Sequence, residues 1–301
     1  MSDIGLASEP VAAARPLGLG GARGLRGVRR RLARSPLIGV GAVLSTLVVL
    51  AALLAPLIAP YDAANQIATP LLRPGQEGYL LGTDEIGRDV FSRLIYGARV
   101  SLYVGLLAVA IASAVGATAG VVAGFAGGWL DNLVMRLMDV LFSLPTLVLA
   151  IAITAILSPN LTNAVIAIGI VYAPSFARIA RGPTLTVMRL PYVEAARALG
   201  AGNARLVLRH VLPNIAAPLM VQVTLSLSTA ILTEASLSFL GLGAQPPTPS
   251  WGLMLNAARQ YMLLDAWIAI LPGLAIALTI LGFNLLGDGL RDLLDPRLRG
   301  R

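Results

Sequence analysis

Two sets of ionisable side chains are candidates for chemistry. One is a charged stretch, 191–214 (PYVEAARALGAGNARLVLRHVLPN), where Glu194, Arg197, Arg205, Arg209 and His210 sit between two long apolar runs. The other is a scatter of single charges within or beside apolar runs, chiefly Arg136 with Asp139, Glu234 and Asp288. Neither has the makings of a catalytic centre. Cys is absent, His210 is the only histidine, and all 23 basic residues are Arg. That excludes thiol nucleophiles, disulfides, thiolate zinc sites, multi-histidine metal centres, Schiff-base lysines and the lysine of a phosphate-binding loop. No metal and no cofactor is expected on this chain, and any ATP is bound by another chain. His210 has no companion ligand, so a packed helical histidine is the simpler expectation. The chemistry left is recognition by charge, either of a soluble partner or of something crossing a membrane.

The charged stretch reads as a short helix–turn–helix. Residues 192–199 favour helix, Gly200 suits the left-handed position that ends one, Asn203 suits a cap for a second, and Pro213 a stop. A membrane chain that keeps such an insert offers it to something soluble.

The rest of the chain must position that hairpin. Of 301 residues, 56% are hydrophobic and 13% charged, with a mean hydropathy of +0.79. That exceeds what a soluble core uses, so the surplus faces lipid and the class is an all-α integral membrane protein. Residues 1–35 read as a disordered, Arg-rich cytoplasmic tail, and 36–301 as one domain of six transmembrane helices. The expected spans are 37–59, 100–125, 133–157 with Pro145 inside, 164–180 with Pro174 inside, 215–237 and 266–286. Residues 60–98 form an extracytoplasmic loop in which 81–98 is expected as an amphipathic interfacial helix. Gly116, Gly120 and Gly124 recur every fourth residue, the pattern of a close helix-packing seam.

Arginine counting sets the orientation. Six spans put 18 of the 23 Arg on the hairpin's side and leave Arg73, Arg88, Arg93, Arg99 and Arg259 on the other. Cytoplasmic flanks carry the excess, so the hairpin (182–214 with its flanks) and both termini are expected in the cytoplasm. The net charge of +8 reports this orientation rather than nucleic acid, since the Arg residues flank apolar spans. Abundant Arg, Ala and Gly without Lys suit a GC-rich bacterial genome.

Several segments carry a resemblance. Glu194–Ala195–Ala196, Gly200 and Leu212–Pro213 are similar in type and spacing to the EAA loop of ABC importer permeases, with His210 where that pattern has Ile. The stretch RHVLPN resembles the form in the dipeptide, oligopeptide and nickel branch. LGTDEIGRDVFSRLIYGARVSL (81–102), RLMDVLFSLPTLVLAI (136–151), EASLSFLGLG (234–243) and PSWGLML (249–255) are similar to the second, C-type permease of that branch. The resemblance implies a permease that pairs with a sister permease and takes solute from an extracytoplasmic binding protein. ATP and Mg would then be held by one or two ABC ATPase subunits, into which the EAA loop docks. It further implies that this chain is not itself an enzyme, and that the solute is a di- or oligopeptide or a related small molecule.

On that reading Ala195 and Ala196 allow close approach to the ATPase and Gly200 sets the bend. Arg197, Arg205 and Arg209 face either partner carboxylates or solvent and lipid headgroups. Glu194 either braces the contact or is a first-turn acid favoured by the helix dipole. Asp139 either pairs with Arg136 one turn away or contacts substrate. Glu234 falls near the outer surface, where it caps packing or lines a pathway or gate. Trp251 and Gly252 either touch the binding protein or sit at the interface as Trp commonly does. A second class of reading, a gradient-driven transporter or channel, is expected to show inverted repeats and has no use for the hairpin.

Overall fold

The computed structural model describes residues 36–66 and 68–294. The expected tail at 1–35 and residues 295–301 lie outside the described residues. Every long element is a helix: α1 (Pro36–Leu53), α2 (Val90–Ala126), α3 (Gly128–Phe142), α4 (Thr146–Leu157), α5 (Leu161–Met188), α6 (Pro191–Ala198), α7 (Asn203–Phe239), α8 (Trp251–Ala258) and α9 (Trp267–Leu294). Caps explain where the main ones begin. Asp89 accepts the Ser92 N–H at 2.8 Å to start α2, and Asn160 accepts the Asn163 N–H at 2.8 Å to start α5.

Helices α2 and α5 run parallel, and glycines bring their backbones into contact. A Cβ on Gly116 would run into the Ala173 carbonyl and one on Gly120 into the Ala177 carbonyl, while one on Gly124 would lie 3.0 Å from the Arg181 carbonyl. Lipid tails are as apolar as leucine, so helices in a bilayer gain little from burial alone and associate by such close packing. The fully buried Val104, Ala108, Ile168, Phe176 and Ile231 complete this core with α7, which runs antiparallel to α2. Helix α9 packs on α7 through Ser228 and Asn284, and α1 on α9 where Gly41 meets Leu285 and Gly282 meets Leu44 and Ser45.

Among the described residues four helices, α2, α5, α7 and α9, are long and apolar enough to cross a membrane, and α3 with α4 makes a fifth if that bent pair is one span. Helix α1 is apolar but shorter: its 18 residues reach about 27 Å against a hydrocarbon layer of about 30 Å.

Three expectations need correction. The stretch 81–98 is not an interfacial helix: 81–89 is a tight loop, and α2 then runs on without a break. Gly82 and Gly87 take φ of +77° and +81° there, values no α-helix contains. The third span is not straight, since α3 and α4 meet at 91° across 143–145. Pro145 has no N–H to donate and disfavours helical geometry at Leu144. Pro213 does not stop the helix begun at Asn203, which continues to Phe239 through one wide turn at Val207–Val211. In that turn the Leu212 N–H reaches back five residues to the Val207 carbonyl, and Pro213 follows as a first-turn proline.

Candidate functional site

The hairpin is built by local chemistry at its tip and by burial at its base. Pro191 opens α6 in the first turn. Its end is a Schellman turn: the Gly200 N–H reaches the Arg197 carbonyl at 3.0 Å and the Ala201 N–H the Ala196 carbonyl at 3.0 Å, with Gly200 at φ +86°. Gly202 rather than Asn203 then occupies the cap position of the next helix, and Asn203 is its first residue. Beneath, Val193, Leu206, Val211 and Ile215 are buried against Val121, Ala180 and Val187 of α2 and α5. The hairpin is therefore fastened to the two helices joined by the glycine seam, so displacement of one loads the other.

The outward face is different. Glu194, Ala195, Arg197, Gly200, Arg205, Arg209, Leu212 and Pro213 are exposed and Ala196 is half-buried. Leu199 and Leu208 stand out at 89% and 65% exposure. No ion pair engages Glu194, Arg197, Arg205 or Arg209 among the described residues. The face thus carries free guanidinium groups around protruding leucines, a composition suited to a partner with carboxylates and an apolar groove. A brace not anticipated from sequence holds its sides together: the Tyr192 and His210 rings are 5.7 Å apart, and Asn214 donates to the Tyr192 hydroxyl at 3.3 Å and to the His210 carbonyl at 2.6 Å. His210 and Asn214 are neighbours by helix spacing, but nothing in the sequence pattern brings Tyr192 to them.

At the far end of α7, Glu234 is fully buried. One carboxylate oxygen accepts from Ser238 at 2.8 Å and Ser250 at 3.0 Å, the other from Ser101 at 3.0 Å. These serines come from α7, from the segment before α8 and from α2, so one side chain ties three elements. Glu234 lines no opening in this conformation, where it packs among those serines. Trp251 is 2% exposed, and its indole N–H donates to the Leu94 carbonyl at 2.9 Å. Gly252 is buried where any Cβ would strike the Ala235 carbonyl. A surface contact with a binding protein is thus not available to either, because both pack into the same joint as Glu234. In the loop before α2, Asp84 and Glu85 pair with Arg88 at 2.6 and 2.8 Å, and Asp84 with Arg93 at 3.3 Å. This buried cluster fixes 81–89 onto α2.

Asp139 does not pair with Arg136. It accepts from Arg178 of α5 at 2.7 Å, and the Arg178 guanidinium lies 4.2 Å above the Phe142 ring. Arg181, one turn on, clamps Asp131 with two bonds of 2.5 and 2.6 Å. Helix spacing made Arg136 the near neighbour of Asp139; the 91° bend swings α3 across α5 and supplies the actual partner. Among the described residues no cluster of His, Asp and Glu could hold a metal ion.

Comparison with known proteins places this geometry. The profile of the family described as binding-protein-dependent transport system inner membrane component matches residues 116–300, and that of the N-terminal transmembrane domain of oligopeptide transport permease C matches 25–74. The chain is 52% identical to the di/tripeptide transport system permease protein DppC of Pseudomonas aeruginosa, over 86% of this chain and 88% of the relative. It is 49% identical to the glutathione transport system permease protein GsiD of Shigella flexneri, over 90% of each. In fold it resembles a chain of the MetNI methionine ABC transporter in an inward-facing conformation, with a TM-score of 0.56, 19% identity and coverage of 68% of this chain and 97% of the other.

Proposed function

The chain belongs to the family of binding-protein-dependent transport system inner membrane components, the permease subunits of ABC importers, and from that membership we propose that it forms one half of an import pathway for short peptides. The other half is a sister permease, and an extracytoplasmic binding protein delivers the solute. One or two ATPase subunits bind ATP and Mg and dock on the exposed face of the 191–214 hairpin, which lies in the cytoplasm with both termini. On this reading α1 is the first of six spans and the chain itself hydrolyses nothing. The substrate class follows the relatives, which carry di/tripeptides or glutathione by name.

The hairpin carries the reading. It is fastened to the core by Val193, Leu206 and Val211, and presents exposed Arg197, Arg205 and Arg209, without an ion-pair partner among the described residues, beside Leu199. A rigid lever on the end of a span transmits ATPase closure only if the closed and open ATPase states contact it differently. A gradient-driven transporter needs no such element.

Co-purification from native membranes tests it, comparing wild type with Gly200→Pro. Proline fixes φ near −65°, so it cannot reproduce the +86° turn. Wild type is expected to bring down a second permease and an ATPase, and the variant to insert but lose the ATPase or its transport-coupled activity. Wild type that purifies alone and moves solute without ATP would overturn the proposal.

A further inference from the structure

The turn that joins α8 to α9 carries three apolar residues in a row, Met262, Leu263 and Leu264, all exposed and Leu263 completely so. Backbone bonds fix its shape. The Tyr261 N–H reaches the Ala258 carbonyl, and the Leu264 and Asp265 N–H groups reach the Tyr261 carbonyl, each at 2.9 Å. Asp265 then turns back to accept the Trp267 N–H at 3.0 Å, where α9 begins. Arg259, just ahead of the turn, is exposed and has no ion-pair partner among the described residues.

Depth and surroundings identify what meets those side chains. From Trp267 to Leu286 α9 carries no charge, a run of about 30 Å at 1.5 Å per residue, which matches the hydrocarbon layer. Trp267 then lies at one edge of that layer. The turn is only a few residues away, so it falls in the headgroup zone, about 5–8 Å thick on each face. Trp267 also heads a stripe with Ile270, Leu274, Leu278 and Leu281 on one exposed side of α9, opposite the buried Ile268, Ile276, Thr279 and Phe283. Large side chains dominate this stripe where the α2–α5 seam has glycines; large ones suit lipid tails and small ones helix contact. A soluble protein docks through a polar rim, as the arginines around Leu199 provide at the hairpin. The turn has Arg259 alone, since Asp265 is engaged as a cap.

We propose that this turn is a lipid anchor: Met262, Leu263 and Leu264 insert at the boundary of headgroups and acyl chains, and Arg259 takes a phospholipid phosphate. Leucines gain by leaving water, and the flanking Tyr261 and Trp267 are of the types that settle at a membrane interface. The Arg259 stem lies along apolar surface while its guanidinium stays at headgroup level. Placement in the outer leaflet rests on the orientation proposed above; contact with lipid does not, nor does it depend on the solute. The anchor ties α8 to the leaflet, and with it Ser250, which donates to Glu234, and Trp251, which donates to the Leu94 carbonyl.

The experiment uses the assembled importer in liposomes of phosphatidylethanolamine and phosphatidylglycerol. Because this chain has no cysteine, Leu263→Cys adds its only thiol for a bimane label, with the labelled wild-type complex as background. Glu77→Cys, exposed in the loop before α2, serves as the reference in water. Quenching is read with phospholipid brominated near the start of its acyl chains and with iodide added outside or inside. At 263 brominated lipid is expected to quench about threefold more than at 77 and iodide about threefold less, with no change when binding protein is added. Arg259→Gln is expected to reduce quenching by brominated lipid at 263, and Arg259→Lys to restore it. Iodide quenching as strong at 263 as at 77 would overturn the anchor. So would shielding that appears only with binding protein, or shielding from both quenchers, which marks a protein partner. Unchanged quenching in Arg259→Gln would overturn the phosphate contact. Iodide that reaches 77 only from the side carrying the ATPase would instead overturn the orientation and leave the lipid contact standing.

Discussion

The two ends of α7 handle charge in opposite ways. At the Phe239 end, Glu234 is fully buried and its oxygens accept three serine hydroxyls from three elements. At the Asn203 end, Arg205 and Arg209 stand exposed with no ion-pair partner among the described residues. A buried polar group costs free energy unless its hydrogen bonds are made within the molecule, so the Glu234 joint is complete in this chain. The hairpin end is solvated and has bonds to give. One end holds the helices together, and the other is dressed for a partner.

The largest effect should come from breaking the complete end. Glu234→Ala leaves the Ser101 and Ser250 hydroxyls in a dry joint with no acceptor, at roughly 3 kcal/mol or more; thermal unfolding of the detergent-solubilised chain should fall clearly. Glu234→Gln keeps acceptor capacity and should lose much less. If the two variants are equally stable to wild type, the joint is not the clasp described. Next, Gly120→Val drives side-chain atoms into the Ala177 carbonyl and should cost about 1–3 kcal/mol by overpacking the α2–α5 seam, again read by thermal unfolding.

Smaller still in stability, Gly200→Ala forces a Cβ into a positive-φ turn at about 1 kcal/mol. It should nonetheless lower transport-coupled ATPase activity, because the tip is re-aimed. Smallest of all, Arg197, Arg205 and Arg209 changed together to Ala should leave unfolding where it was while weakening ATPase association in a salt-sensitive way. A triple variant that binds ATPase as tightly as wild type would remove the contrast between the two ends.

Much of this was legible because it depended on near neighbours in the chain. The helix ends where the Gly200 and Ala201 N–H groups reach carbonyls three and five residues back respectively, and a residue able to take positive φ is visible as a letter. The glycines at 116, 120 and 124 announced a face, although not that α5 would fill it. Other features depended on distant groups. Proline read as a stop at 213 and as a passenger within a span at 145, yet the chain bends at 145 and continues past 213. The difference is a wide turn at Val207–Val211 ahead of Pro213, against an unhelical Leu144 ahead of Pro145. Spacing offers Asp139 a partner in Arg136 and residue type offers Trp251 a place at the interface, but packing gives Asp139 to Arg178 and buries Trp251.

Composition and turn chemistry are local properties, so the letters alone specify the class, an Arg-flanked apolar bundle, and the hairpin. It took the packed fold to show that Glu234 and Trp251 close a joint and that Arg178 finds Asp139 in the open while Arg181 buries Asp131. Burial and charge pairing are sums over residues far apart in the chain, and no spacing rule carries them.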